Sequence, residues 1–434
     1  MLRGKLSILP YAISFALVAV LLVGAVPASA ARAPLGARAP LGPLLPPGLA
    51  GPGGLSGPVG LVGLPGVPRV SGAVHAPAAP VHTVPAVRCS SWNVVPSPNP
   101  STYNILIGVT STSSTNAWAV GYTYNGSSEQ TLTEQWNGSS WNVVSSPSPG
   151  QYNFLEGVAS TASNVWAVGA YSNNGGSTYQ TLIEQWNGSA WNVVSSPNPG
   201  SSYNYLLGVA GGIKHAWAVG YYSNNSGSTW QTLIEQWNGS SWNVVSSPSP
   251  SSQYNFLIGV TKKWAVGYYY NTSTGTYQTL IEQWNGSSWN VVSSPSPSSS
   301  FNILYGVTGG LKNAWAVGYY YNTSTGTYQT LIEQWNGSSW NVVSSPNPGA
   351  PYNFLLGVAG GLKNAWAVGY TYNGSTEQTL TEQWNGSSWN IVSSPNLSTD
   401  NILIGVAHVP NTGDFWSVGY TYNGSTNNTL ILQC

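Results

Sequence analysis

A twelve-residue string, E-Q-W-N-G-S-S-W-N-V-V-S, runs from Glu134 to Ser145 and returns nearly unchanged from Glu184, Glu235, Glu282, Glu333 and Glu382. Asn-Gly between β-forming residues is a strong hairpin signal, because both residues accept the positive φ angles of a primed turn. A two-residue or a four-residue turn keeps strand parity, so Trp136 and Trp141 share one face of the hairpin. A single hairpin cannot bury two tryptophans on one face. Stacked copies can, and that requirement restricts the chain to a repeat architecture.

A second string, W-A-V-G, carries Trp118, Trp166, Trp217, Trp264, Trp315 and Trp366, with a divergent copy at Trp416-Ser417-Val418-Gly419. Successive tryptophans stand 48, 51, 47, 51, 51 and 50 residues apart. A period near fifty that contains several short strands is the spacing of a propeller blade. One repeat reads as four strands, 353–358, 365–370, 379–384 and 389–392, with Gly, Asn, Ser and Pro in every connection. No helical periodicity appears after residue 30. The expected fold is all-β: a seven-bladed propeller with four antiparallel strands per blade. The last third-strand copy ends at Cys434, and its missing partner is the 90–95 segment, Ser-Ser-Trp-Asn-Val-Val. The N-terminal strand is therefore expected to pair with the C-terminal strand and close the ring.

These residues resemble the kelch-type β-propellers. W-A-V-G sits where that family has an aromatic strand ending in glycine, and Gln-Trp-Asn-Gly-Ser-Ser-Trp where it has Tyr-Asp, a turn and Trp. The resemblance covers 89–434. The repeats are also similar to exported bacterial repeat proteins with Trp-Asn-Gly and Ser-Pro-Asn-Pro signatures. One kelch-architecture oxidase holds copper with two tyrosines and two histidines. Here the propeller segment has only His215 and His408, in separate blades. Sialidase-like propellers use an arginine cluster, and no arginine follows Arg88.

The preceding residues divide in two. Arg3 and Lys5, an apolar run and Ala28-Ser29-Ala30 read as a signal peptide over 1–30, with a retained anchor as the alternative. Residues 31–88 are rich in Ala, Pro and Gly and read as a disordered linker. Glycine recurs there at every third position from Gly48 to Gly66, a short collagen-like run. The expected location is secreted or extracellular, with attachment to a cell surface left open.

The formal net charge of zero conceals a division. All eleven acidic residues lie after residue 88, against five lysines, which leaves the propeller near −6 and disfavours nucleic acid as a partner. Six of the acids are the one repeated glutamate, Glu134 and its counterparts, replaced by Leu432 in the last repeat. Acid–base catalysis needs two groups at a defined separation, which a residue stamped once per blade does not supply. A buried structural role, accepting nearby hydrogen bonds, is expected instead. No phosphate loop, Ser-His-Asp set or cysteine metal spacing is present, and no cofactor is expected. Residues 264–297 and 315–348 differ only at Ser296 and Asn347, and blades this alike suit multivalent binding better than a single catalytic cleft.

The loops between second and third strands are rich in tyrosine among short polar residues, a composition suited to sugars or protein surfaces. Tyr222, Trp230, Tyr269, Tyr277, Tyr320 and Tyr328 are the candidate ligand contacts on that face. The asparagine that opens each first strand, from Asn104 to Asn401, is expected at the channel mouth as a backbone cap. Cys89 and Cys434 are the only cysteines. They take positions two residues apart across the hairpin turn of a complete blade, so they are expected to form a disulfide that locks the ring. The resulting reading is a non-catalytic, monomeric exported module for binding or adhesion to extracellular glycans or proteins. An extracellular enzyme with an unrecognised site and a structural envelope protein are the alternatives.

Overall fold

The computed structural model describes residues 89–161, 164–212 and 214–434. The expected signal segment 1–30 and linker 31–88 lie outside the described residues. Alternation of apolar and polar residues between Gly, Asn and Pro turns yields twenty-eight β-strands, and no helix among the described residues. They group into five sheets of eight, four, four, eight and four strands. Each eight-stranded sheet is two four-stranded units joined by one parallel bridge, Tyr103 to Asn427 or Tyr328 to Tyr352. A representative unit runs through Asn255–Val260, Trp264–Asn271, Thr276–Trp284 and Trp289–Val291, each strand antiparallel to the next. The fourth strand is short, with Asn290 and Val291 exposed, and forms an outer edge.

The first strands line the middle of the molecule. They are Tyr103–Ser113, Tyr152–Thr161, Tyr203–Gly211, Asn255–Val260, Asn302–Gly309, Tyr352–Gly360 and Asp400–His408. Each touches the next, and Asp400–His408 returns to Tyr103–Ser113. Their repeated glycine follows from this crowding. A Cβ on Gly208 would lie 2.4 Å from the Ile258 carbonyl oxygen, and one on Gly405 would lie 2.5 Å from that of Ile107. The W-A-V-G glycine is tighter still, since a Cβ on Gly220 would fall 1.9 Å from the Tyr205 carbonyl oxygen. Every first strand also slips register just before its glycine, as between Leu155 and Gly157 or Leu206 and Gly208. Such a bulge re-aims one side chain per strand.

Tryptophan packing seals neighbouring units. Trp264 is fully buried between the hairpin pair of the following unit, 4.8 Å from Trp335 and 5.0 Å from Trp340 between ring centroids, edge-on to the latter. The same triad forms at Trp118, Trp166, Trp217, Trp315 and Trp416. Edge-to-face contacts of this kind add to the area that three large side chains bury. Trp366 has Trp92 as its edge-on partner at 5.0 Å, and Cys434 stands where the other tryptophan would be.

The hairpin turn spans four residues, with Trp136 directly opposite Trp141. It departs from the primed turn that Asn-Gly suggests. Only Gly138 has a positive φ, 98°. Asn137 instead accepts hydrogen bonds on Oδ1 from the Ser139 and Ser140 amides, at 2.9 and 3.0 Å, and its own N–H donates to Ser140 O. The asparagine side chain thus organises the turn, and glycine supplies the single left-handed residue.

The two ends meet as expected. Asn93 pairs with Gln433 and Val94 with Leu432, antiparallel, and the Val95 amide donates to Ile431 O at 2.9 Å. A disulfide joins Cys89 to Cys434, with Cα atoms 5.1 Å apart.

Candidate ligand-binding site

The asparagines that open the first strands are buried latches. Asn153 accepts the Gly150 amide on Oδ1 at 2.7 Å, and its Nδ2 donates to Gly150 O and to Glu129 O, both at 2.8 Å. Glu129 belongs to the third strand of the preceding unit, so one side chain shapes its own loop and ties two units together. Asn204, Asn255, Asn302, Asn353 and Asn401 donate in the same way to Tyr179, Trp230, Tyr277, Tyr328 and Glu377, and Asn104 donates to Asn427. The backbone-capping role expected for these residues is the one they have.

The acceptor residues show how the rim differs around the molecule. Over four consecutive units they are aromatic: Tyr179, Trp230, Tyr277 and Tyr328. Elsewhere they are Glu129, Glu377 and Asn427. Each aromatic neighbours another ring at the start of the next unit. Tyr179 lies over Tyr203 at 6.3 Å, Tyr277 stacks on Phe301 at 5.3 Å and Tyr328 on Tyr352 at 5.7 Å, while Tyr203 also approaches Trp230 at 5.5 Å. Tyr254 and Tyr270, 5.9 Å apart, and Tyr321 extend the series. Tyr203, Trp230, Tyr254, Tyr270, Tyr277, Phe301, Tyr321 and Tyr352 are half-buried, so the result is a partly exposed aromatic arc along one side of the rim.

The six candidate contacts divide between two settings. Trp230 and Tyr277 belong to the arc and are half-buried, whereas Tyr328 beneath it is 4 % exposed and offers a ligand little surface. Tyr222, Tyr269 and Tyr320 point between units instead. Each donates its hydroxyl to a glutamine of the adjacent strand, Gln231, Gln278 or Gln329, and packs against the inter-unit core. Strand parity separates the two sets, because adjacent residues of one strand face opposite sides of the sheet.

The repeated glutamates are fully buried. Glu235, Glu282, Glu333 and Glu382 accept hydrogen bonds from Ser196, Ser247, Ser294 and Ser345, each from the Ser-Ser-Pro of the preceding unit. The carboxyl oxygens of Glu134 and Glu184 have no hydrogen-bond partner among the described residues. Burial pushes the pKa of all six up to about 8. His215 and His408 are exposed, and His408 Nε2 lies 3.0 Å from Thr412 O. No group of three or more metal-ligating side chains occurs among the described residues.

The re-aimed residue of each first-strand bulge faces a cavity of about 230 Å³ in the middle of the molecule. These residues are Ile107, Glu156, Leu207, Ile258, Tyr305, Leu356 and Ile404. The wall is otherwise Gly and Val, with Tyr221 as one further polar residue and no basic side chain. Glu156 is thus the one charged residue among the seven counterparts, of which Tyr305 is the only other polar one. Its depth in the molecule pushes its pKa up to about 8. The sequence reading passed over this residue, although aligning the seven Asn-x-Leu-x-Gly-Val strings isolates it as the one charged residue at its position.

Repeated four-stranded antiparallel units whose first strands line a common middle define the chain as a β-propeller repeat protein. No protein-family model and no curated protein matches the sequence. Solved propeller structures resemble it at low identity. YCF48 bound to a D1 peptide is 12 % identical, over 80 % of this chain and 96 % of that one, with a TM-score of 0.48. YjhT is 12 % identical, over 68 % and 99 %, with a TM-score of 0.46. The sialidase of Trypanosoma rangeli is 11 % identical, over 68 % and 56 %, with a TM-score of 0.43.

Proposed function

We propose that the chain is an exported seven-bladed propeller of kelch type, closed by its N-terminal strand, that binds extracellular glycans or proteins without transforming them. The cyclic order of first-strand contacts and the pairing of Asn93–Val94 with the last strand support seven blades. The disulfide suits an oxidising compartment. The repeated carboxyls favour binding over catalysis, since each is buried in an inter-unit seam away from solvent.

The observation that carries the reading is the aromatic arc. Half-exposed rings held in place by stacking lose little conformational entropy when a ligand arrives, and they present flat apolar faces beside polar loops. Sugar rings and protein surfaces both fit such a face. A glycan and peptide array probed with the 89–434 protein should give saturable hits. Tyr254→Ala combined with Tyr277→Ala should weaken them about tenfold or more, the loss expected when two interface anchors go. Unchanged binding by the double variant, or turnover of any bound glycan, would overturn the reading.

A further inference from the structure

The axial cavity is a second candidate site, separate from the aromatic rim. We propose that it binds a small organic cation, an ammonium group with apolar substituents, with Glu156 as its counter-ion.

Three features carry this. The cavity is partly open, and at about 230 Å³ it has room for a compact ligand. Its walls are Val, Ile, Leu and Gly, which suit apolar substituents and supply no competing positive charge. One carboxylate and two aromatic rings, Tyr221 and Tyr305, interrupt those walls. A carboxylate beside aromatic faces in apolar surroundings is the environment that attracts an alkylammonium ion.

The site is built for one position. Phe154 of the Glu156 strand lies opposite Ala170, whereas the other units have a tyrosine there, such as Tyr221 opposite Tyr205. That difference leaves the Glu156 unit without a phenol at this position. The tyrosines electrostatically coupled to Glu156 come instead from the next unit, Tyr205 and Tyr221. Across the cavity Tyr305 is held by a hydrogen bond with Tyr319. Tyr205 and Tyr221 are the phenols that interact with Glu156, and Tyr305 is the other titratable residue of the cavity wall, all three with raised pKa values; the rest of the wall is Gly, Val, Ile and Leu. Burial keeps the empty carboxyl protonated at neutral pH. A bound cation favours the carboxylate, so binding releases a proton and tightens as pH rises toward 8.

The test uses tert-butylammonium as probe and tert-butanol as its neutral isostere, by titration calorimetry on the intact chain at pH 7. Expected are saturable binding of the cation, weaker binding of the alcohol, and release of up to one proton per site, read from the heats in two buffers of different ionisation enthalpy. Glu156→Leu places at 156 the residue already present at 207 and 356, and should retain the fold while losing about tenfold or more in affinity. Glu156→Gln should lose the proton release. Absence of saturable cation binding, equal affinity for the alcohol, or undiminished affinity in a folded Glu156→Leu protein would overturn the proposal. None of these outcomes bears on the rim, which the array experiment tests by itself.

Discussion

The protein should lose stability as pH rises from 5 to 9, the reverse of what paired surface carboxylates produce. Glu134, Glu184, Glu235, Glu282, Glu333 and Glu382 have folded pKa values near 8 against a usual 4.5, because burial disfavours the charged form. The folded state therefore holds protons that the unfolded state has already released. Their stabilising effect is complete below pH 4.5 and is lost as pH rises through 8. One pH unit of difference corresponds to about 1.4 kcal/mol per group. Relaxation of the folded state and water entry around the ionised group reduce this to on the order of 1 kcal/mol per group over the range, and six groups together still make several kcal/mol. Urea denaturation at pH 5, 7 and 9 checks the trend, and a flat or rising profile between pH 5 and 8 would refute it. The last unit supplies its own control, with Leu432 at the glutamate position. Glu282→Leu should be near neutral at pH 5 and stabilising by about 1 kcal/mol at pH 9.

Reduction of the Cys89–Cys434 bond should have an effect of similar size. The bond spans 345 residues, nearly the whole described chain. A loop of that length gives about 6 kcal/mol in the chain-entropy model, a ceiling that real bridges often fall short of. The bond sits in a packed place, with Cys89 buried beside Trp92, Trp366 and Phe415. Cys434→Ser, or reductant, should lower the urea midpoint of the intact protein and leave the slope nearly unchanged. An unmoved midpoint, or two thiols labelled without reduction, would contradict this account of the ends.

Much of this architecture is legible before any coordinates, because the repeats state it many times over. Trp136 and Trp141, W-A-V-G and the complementary terminal pieces, three strands at one end and one at the other, each impose a requirement that stacked four-stranded units meet. The disulfide follows from where the two cysteines fall in the repeat. The candidate site is less legible, for a physical reason. Tyr269 and Tyr270 are neighbours in sequence, yet the first bonds Gln278 between units and the second joins the rim arc. Composition cannot separate them; strand parity and sheet packing do. Glu156 escapes for a different reason. A single glutamate reads as unremarkable until the bulge is seen to turn its side chain toward the axis. The turn at Asn137 shows a third limit, since the Asn-Gly pair suits more than one turn and the side-chain bonds to Ser139 and Ser140 decide between them.

Closure of the ring by the N-terminal strand is the claim on which the rest depends, and native-state amide hydrogen exchange on the intact chain tests it most directly. Val95 donates its amide to Ile431, and Asn93 and Val94 lie in register with Gln433 and Leu432. The Val95 amide should therefore exchange as slowly as those of Ile431 and Leu432, and the whole set should speed up together when the disulfide is reduced. A Val95 amide that exchanges at the rate of an unprotected peptide, while Ile431 and Leu432 stay protected, would show that the strand is not part of the ring.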